Sequence, residues 1–140
     1  MDFSIFLTPQ SKEIVNLIRK AQFKVNENIG FCRSNEEFFG YADFGKQFVI
    51  CTNNIKKSGY DVKYYINETV YHEGVHVAHH CNKYRPFNIS KSDMPISSNR
   101  MQDLKKSLQI STASSQMEHE AYWMENKPDK VRYVLKKYCF

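Results

Sequence analysis

The feature that most constrains this chain is a His-Glu-x-x-His segment formed by His72, Glu73 and His76. It lies in a stretch that begins at 62 or 67 and ends at 82, where apolar residues recur on several sides of a helical wheel. That pattern is typical of a helix buried in the middle of a domain. On such a helix, residues four apart lie on one face about 6 Å apart, so the two imidazoles can bind one tetrahedral Zn²⁺.

Glu73 follows the first histidine directly, which places its carboxylate beside an ion held by the pair. A zinc ion with an open coordination position lowers the pKa of a bound water toward about 7, and a neighbouring carboxylate can then accept the proton. A chance match to this pattern is expected in roughly one of a hundred chains of this composition. We therefore expect one Zn²⁺ as cofactor and Glu73 as the catalytic base.

A third protein ligand is expected in a helix predicted over 112–125. On a helical wheel Met117 and Ala121 mark its apolar face, with Glu120 about 60° to one side and Glu118 about 100° to the other. A carboxylate at the border of an apolar stripe is placed to point inward. We therefore expect Glu120 to be the ligand and Glu118 to orient a ligand histidine, or the two to exchange these roles.

His79 and His80 continue the motif helix and are alternative ligands. A straight helix carries His80 about 12 Å along the axis from His72, which is too far for three ligands of one ion. We therefore expect His79 and His80 to be flanking polar residues or hydrogen-bond partners of the ligands.

Hydrolysis also needs a hydrogen-bond donor for the oxyanion that forms at the substrate carbonyl. The sequence leaves several donors open, and the spacing does not choose among them. The candidates are Tyr122, His119, Tyr41, His79 and His80.

The two motifs together resemble those of the gluzincin type of zinc metallopeptidase, and most of all the small ImmA/IrrE-like group. His72, Glu73 and His76 form the first motif, and Glu118-x-Glu120-Ala forms the second. The resemblance implies that Glu120 is the third zinc ligand. It also implies a small sheet whose edge strand lines the cleft, and the hydrolysis of peptide bonds in a protein or peptide substrate. Tyr122-Trp123-Met124 departs from the usual continuation of that group.

The same residues fit two other functions. One is a zinc-stapled, catalytically inactive interaction module, in which the metal only holds helices together. Structural zinc sites of that kind are usually closed by four protein ligands. The other is a non-peptidase zinc amidohydrolase of the deformylase type. That chemistry takes a cysteine ligand from a Glu-Gly-Cys-Leu-like segment, which is absent around Cys32 and Cys51.

The remaining patterns predict one α+β domain over residues 1–140, a minimal zincin-like domain with a small sheet packed on the buried helix. Thr8 and Pro9 begin a first helix that is expected to end before Gly30. Aromatic and β-branched residues around a glycine turn predict a hairpin over 36–52. A polar connection is expected over 53–61 and a long loop over 83–99. Further helices are predicted near 101–108, over 112–125 and over 129–138.

Composition excludes several classes of protein. The excess of 20 Lys and Arg over 15 Asp and Glu is spread along the chain, which does not favour a nucleic-acid partner. No apolar run approaches the roughly 20 residues of a membrane-spanning helix, and the N-terminal residues lack the features of a secretion signal. We therefore expect no membrane partner and a cytoplasmic location. The cysteines form no Cys-x-x-Cys pair, so we expect four reduced thiols that pack in the core.

Overall fold

The computed structural model describes residues 2–43, 45–110 and 114–140, and the side chains of all of these except 106–110. The described chain is α+β, as predicted, with helices packed around a small mixed sheet. The α-helices are α1 (Pro9–Lys20), α2 (Gly30–Ser34), α3 (Thr52–Lys57), α4 (Val62–Cys81), α5 (Ser98–Ile110), α6 (Ser115–Met124) and α7 (Pro128–Cys139). The strands are β1 (Lys24–Glu27), β2 (Gly40–Ala42) and β3 (Gln47–Ile50).

Helix α1 begins as predicted, because the side chain of Thr8 accepts a hydrogen bond from the backbone N–H of Ser11 and Pro9 occupies the first turn. It ends at Lys20, well before Gly30, and the chain then forms β1. This strand was not predicted. It has only four residues, and its backbone partner is β3, more than twenty positions later in the sequence. A strand that depends on distant pairing carries little local signal.

The sheet has the order β1-β3-β2, with β1 parallel and β2 antiparallel to β3. The predicted hairpin is therefore confirmed, with shorter strands than expected. Gly40 is essential to it, because a Cβ atom there would lie 2.6 Å from the carbonyl oxygen of Val49 and 2.7 Å from Cγ2 of Thr69 on α4. A glycine thus lets the edge strand β2 lie against both its neighbour and the motif helix.

Helix α4 is the central element, as its all-round apolar pattern indicated. Asp61 caps it by accepting a hydrogen bond from the backbone N–H of Tyr64. A Cβ atom at Gly74 would lie 3.2 Å from Val131 of α7 and 3.3 Å from Ile14 of α1, so both helices pack closely on the middle of α4. The helix that carries the motif is therefore held from several sides by the core.

The C-terminal half follows the predicted order of a long loop and then helices. The prediction of a polar connection over 53–61 is wrong in its first part, because α3 runs from Thr52 to Lys57 and only Cys51 separates it from β3. The segment 83–97 includes a short 3-10 helix at Lys91–Asp93 and otherwise lacks regular structure. Helices α5, α6 and α7 follow it. Among the helices that the structure describes, none combines the length and the apolar character that crossing a bilayer requires.

The prediction of four reduced thiols is wrong, because the cysteines form two disulfides. Cys32 of α2 is bonded to Cys51 at the end of β3, and Cys81 at the end of α4 is bonded to Cys139 at the end of α7. The partners are 19 and 58 residues apart in the sequence. Spacing along the chain did not reveal these pairs, because tertiary packing brings the partners together.

Candidate metal centre

Three side chains converge where α6 packs on α4. His72, His76 and Glu118 each direct one potential ligand atom into a group whose members lie within 4.8 Å of one another. Nε2 of His76 lies 2.5 Å from Oε1 of Glu118. Two imidazoles and a carboxylate form the donor set of many catalytic zinc sites, so these residues fit one Zn²⁺.

The first histidine is oriented by a carboxylate that the sequence did not reveal. Nδ1 of His72 lies 3.0 Å from Oε1 of Glu125, which leaves Nε2 as the nitrogen for a metal ion. Burial, the largest single effect, lowers the pKa of His72, but the hydrogen bond with Glu125 and the charge of Glu73 outweigh it and raise the pKa to about 9. The arrangement matches the carboxylate–histidine pairs that position zinc ligands in other proteins.

Arg100 of α5 holds Glu125 in turn. Its guanidinium lies 2.6 Å from Oε2 of Glu125, 2.6 Å from Oε1 of Glu68 and 3.1 Å from Oδ2 of Asp103. Glu125 follows Glu118 by seven residues, or about two helical turns, which is the one sequence signal that could have identified it. Arg100 lies in a polar segment without a motif, so only the packing of α5 identifies it.

Glu118, and not Glu120, is the carboxylate that the structure brings to the two histidines. The predicted apolar stripe favoured Glu120, but α6 is buried on both sides of the stripe, so both carboxylates point inward: Glu118 and Glu120 are 3% and 0% exposed. Burial raises the pKa of Glu118 most strongly, but the charge of His76 and its hydrogen bond outweigh this effect and lower the pKa to about 2. Glu118 is therefore an anion at neutral pH.

Glu120 lies behind the second histidine. Nδ1 of His76 is 3.2 Å from Nδ1 of His79, and Nε2 of His79 is 2.7 Å from Oε1 of Glu120. The backbone N–H groups of Phe87 and Ile89 also donate to the Glu120 carboxylate, at 3.0 and 3.3 Å. Burial would raise the pKa of Glu120, but the hydrogen bonds with His79 and Phe87 lower it overall.

Glu73 is half-buried beside the edge strand, where its carboxylate accepts a hydrogen bond from the backbone N–H of Ala42. Burial raises its pKa most strongly, while the charges of His72 and His76 act in the opposite direction. The net pKa lies above the ordinary value for a glutamate, so Glu73 is a stronger base than an exposed carboxylate.

These side chains open into a cavity of about 480 Å³. Residues of the edge strand β2, of α4, of α5 and of the α6 region line it, among them Tyr41, Glu73, Arg100 and Tyr122. Of the predicted oxyanion donors, Tyr41 and Tyr122 line this cavity. The ring centroid of Tyr122 lies 4.7 Å from that of His72.

The other candidate donors have different surroundings. His119 is buried, and its Nε2 lies 2.7 Å from the backbone oxygen of Met94. His80 makes ring contacts with Phe23 and Tyr84, with centroids 5.1 and 4.8 Å away. His79 lies between His76 and Glu120 and contacts both. Neither His80 nor His79 is part of the group around His72.

Comparison with known proteins identifies a family but does not indicate an activity. Residues 3–140 match the model of a family described as Domain of unknown function (DUF8637). No curated protein and no solved structure matches the chain. Because the family match spans nearly the whole length of the sequence, this protein belongs to the DUF8637 family.

Proposed function

We propose that this protein is a zinc-dependent metallopeptidase. The observation that carries the proposal is the convergence of His72, His76 and Glu118 at the wall of an open cavity, with Glu73 beside them. Three protein ligands leave a fourth position of a tetrahedral ion for water or substrate, which is the feature that separates catalytic from structural zinc sites. The cavity supplies the access that a substrate needs.

His72, His76 and Glu118 would hold the ion. When bound, Zn²⁺ supplies Lewis acidity, which activates water and polarises a carbonyl group. Glu73 would accept a proton from the attacking water and deliver it to the leaving amine. The phenol of Tyr41 or Tyr122 would donate a hydrogen bond to the oxyanion, since both residues line the cavity.

The edge strand supports a peptide as the substrate. Gly40 and Tyr41 of β2 line the cavity beside Glu73. β2 is the edge strand of the sheet and pairs with β3 on one side, so an extended peptide would add along its other side at Gly40, next to Ala42, whose backbone is hydrogen-bonded to Glu73. This arrangement would place a peptide bond next to the proposed base, and it favours peptide hydrolysis over the hydrolysis of small amides.

The two disulfides bear on the compartment in which this function would operate. Disulfides persist in oxidising environments and are rare in the reducing cytosol. We therefore propose an oxidising compartment, in place of the cytoplasmic location that the sequence predicts.

The test combines metal content with hydrolysis of casein and of a fluorogenic peptide library. We expect one zinc per wild-type chain and cleavage of peptides. Glu73→Gln keeps the zinc but loses about 10²–10⁴-fold in rate, because it cannot accept the proton. Glu118→Ala loses the zinc. Glu13→Gln removes a charge that pairs with Arg132 and Lys136 of α7, outside the cavity, and keeps zinc and activity.

Each alternative predicts a different result. Full activity in Glu73→Gln overturns the mechanism. Zinc bound tightly by the wild type without cleavage of any peptide supports the inactive, zinc-stapled module. Release of an acyl group from small amides, with no cleavage of peptides, supports a non-peptidase amidohydrolase.

A further inference from the structure

We propose that His79 and Glu120 are positioning residues that fix the tautomer of His76 and thereby direct an unprotonated Nε2 toward the metal ion. We call these three side chains the His76–His79–Glu120 relay. The inference rests on the metal site of the proposed function, but it does not depend on which bond the protein cleaves.

The geometry of the relay is continuous. His76 and His79 approach through their Nδ1 atoms at 3.2 Å, and His79 continues through Nε2 to Oε1 of Glu120 at 2.7 Å. His79 and Glu120 are both 0% exposed. Polar groups buried to this degree need hydrogen-bond partners, and these contacts supply them for His79 and Glu120.

The positions of the hydrogen atoms follow from the function of His76 as a ligand. To bind an ion through Nε2, neutral His76 must carry its single hydrogen on Nδ1, where Nδ1 of His79 is placed to accept it. His79 can accept there only if its own hydrogen is on Nε2. The Glu120 carboxylate accepts that hydrogen. Glu120, which can only accept, therefore determines the tautomer of His79, and His79 in turn determines the tautomer of His76.

The same carboxylate connects the relay to the loop over 83–97. Phe87 and Ile89 donate their backbone N–H groups to Glu120. The ring of Phe87 stacks on His79, with a centroid distance of 4.4 Å. The backbone donors hold Glu120 in place and the stacked ring holds the imidazole, so the loop fixes the far end of the relay.

Two substitutions break the relay in different ways. His79→Phe removes both ring nitrogens but keeps a planar ring to stack on Phe87. Glu120→Gln keeps the shape of the side chain but replaces one carboxylate oxygen by an NH₂ group. In one orientation this group faces the hydrogen-bond donors of His79 and Phe87, and in the other it faces the backbone N–H of Ile89. His79→Gln is the conservative variant, because its amide can accept from His76 and donate to Glu120. His80→Gln is the matched control, one position along α4 and outside the relay.

The experiment measures zinc affinity by chelator competition and folding by circular dichroism. We expect His79→Phe and Glu120→Gln to weaken zinc binding by about 10–100-fold. We expect His79→Gln to recover most of this loss and His80→Gln to bind as the wild type does. Long-range ¹⁵N–¹H spectra of the zinc-loaded protein should show the hydrogen of His76 on Nδ1 in the wild type. They should show altered His76 nitrogen shifts in Glu120→Gln.

Wild-type affinity in a folded His79→Phe variant, or unchanged His76 shifts in Glu120→Gln, overturns the inference. If His79→Phe does not fold, Glu120→Gln alone decides the outcome. A wild type that binds zinc but cleaves no peptide contradicts the metallopeptidase and leaves the relay standing. The two proposals therefore fail through different measurements.

Discussion

Nδ1 of His72 lies 3.0 Å from Oε1 of Glu125, a side chain 53 residues further along the chain. Glu125 is itself held by Arg100 at 2.6 Å, so three elements of the structure combine to orient one histidine. A carboxylate in this position fixes the ring of a metal ligand and increases its basicity. The candidate site thus depends on residues that lie outside both sequence motifs.

Replacing Glu125 by alanine should weaken zinc binding by about 10–100-fold, because His72 loses the acceptor that orients its ring. Asp103→Ala is the matched control. Asp103 also contacts Arg100, at 3.1 Å, but it does not contact His72. Chelator competition measures both variants. Equal affinity of Glu125→Ala and the wild type would contradict the assignment of Glu125.

Gly40→Ala should disturb the strand that lines the cavity. The new Cβ atom would lie 2.6 Å from a backbone oxygen of β3 and 2.7 Å from Thr69, so β2 must shift. Overpacking of this kind costs about 1–3 kcal/mol of the free energy of unfolding, which urea denaturation measures. Gly30→Ala is the control, since its Cβ would meet only the end of the Arg33 side chain, at 3.7 Å. A similar small effect in both variants would show that β2 does not need the glycine.

The two disulfides should stabilise the fold to different degrees. In the chain-entropy model, removing the Cys81–Cys139 bridge costs about 4 kcal/mol and removing Cys32–Cys51 about 3 kcal/mol, because the first closes a longer loop. The comparison uses paired Cys→Ala variants and urea denaturation without reductant.

A thiol assay on the unreduced, denatured wild type should detect no free thiol. Four reactive thiols in that assay would contradict both bridges.

Glu68 should make stability depend on pH. Burial raises its pKa, the charge of Glu125 raises it further, and Arg100 opposes both. The unfolded chain therefore loses this proton at a lower pH than the folded chain does. The contribution of Glu68 to the free energy of unfolding is thus complete below about pH 4.5. It is lost as the pH rises through the pKa of Glu68 in the folded chain.

Glu68→Gln, which keeps a neutral side chain, should gain stability relative to the wild type as the pH rises from about 4 to about 7. Urea denaturation of the metal-free proteins across this range measures the difference in the free energy of unfolding. A difference that stays constant with pH would refute the effect of burial on Glu68.

Features that depend on neighbouring residues could be predicted from the sequence. Thr8 and Pro9 begin α1 as expected, and α4 covers the stretch predicted from its apolar pattern. Strand β1 and the two disulfides were missed, because each depends on a partner far away in the chain. The secondary-structure propensity of a short segment does not indicate which distant segment will pair with it.

The sequence by itself determined that His72 and His76 share one face of a buried helix with Glu73 beside them, because a spacing of four residues is a property of the α-helix. Only the tertiary structure decided between Glu118 and Glu120. Both carboxylates are buried, and the rotation of α6 against α4 directs one to the histidine pair and the other to His79. That rotation follows from the packing of side chains across α4, α5 and α6, which no single segment of the sequence specifies.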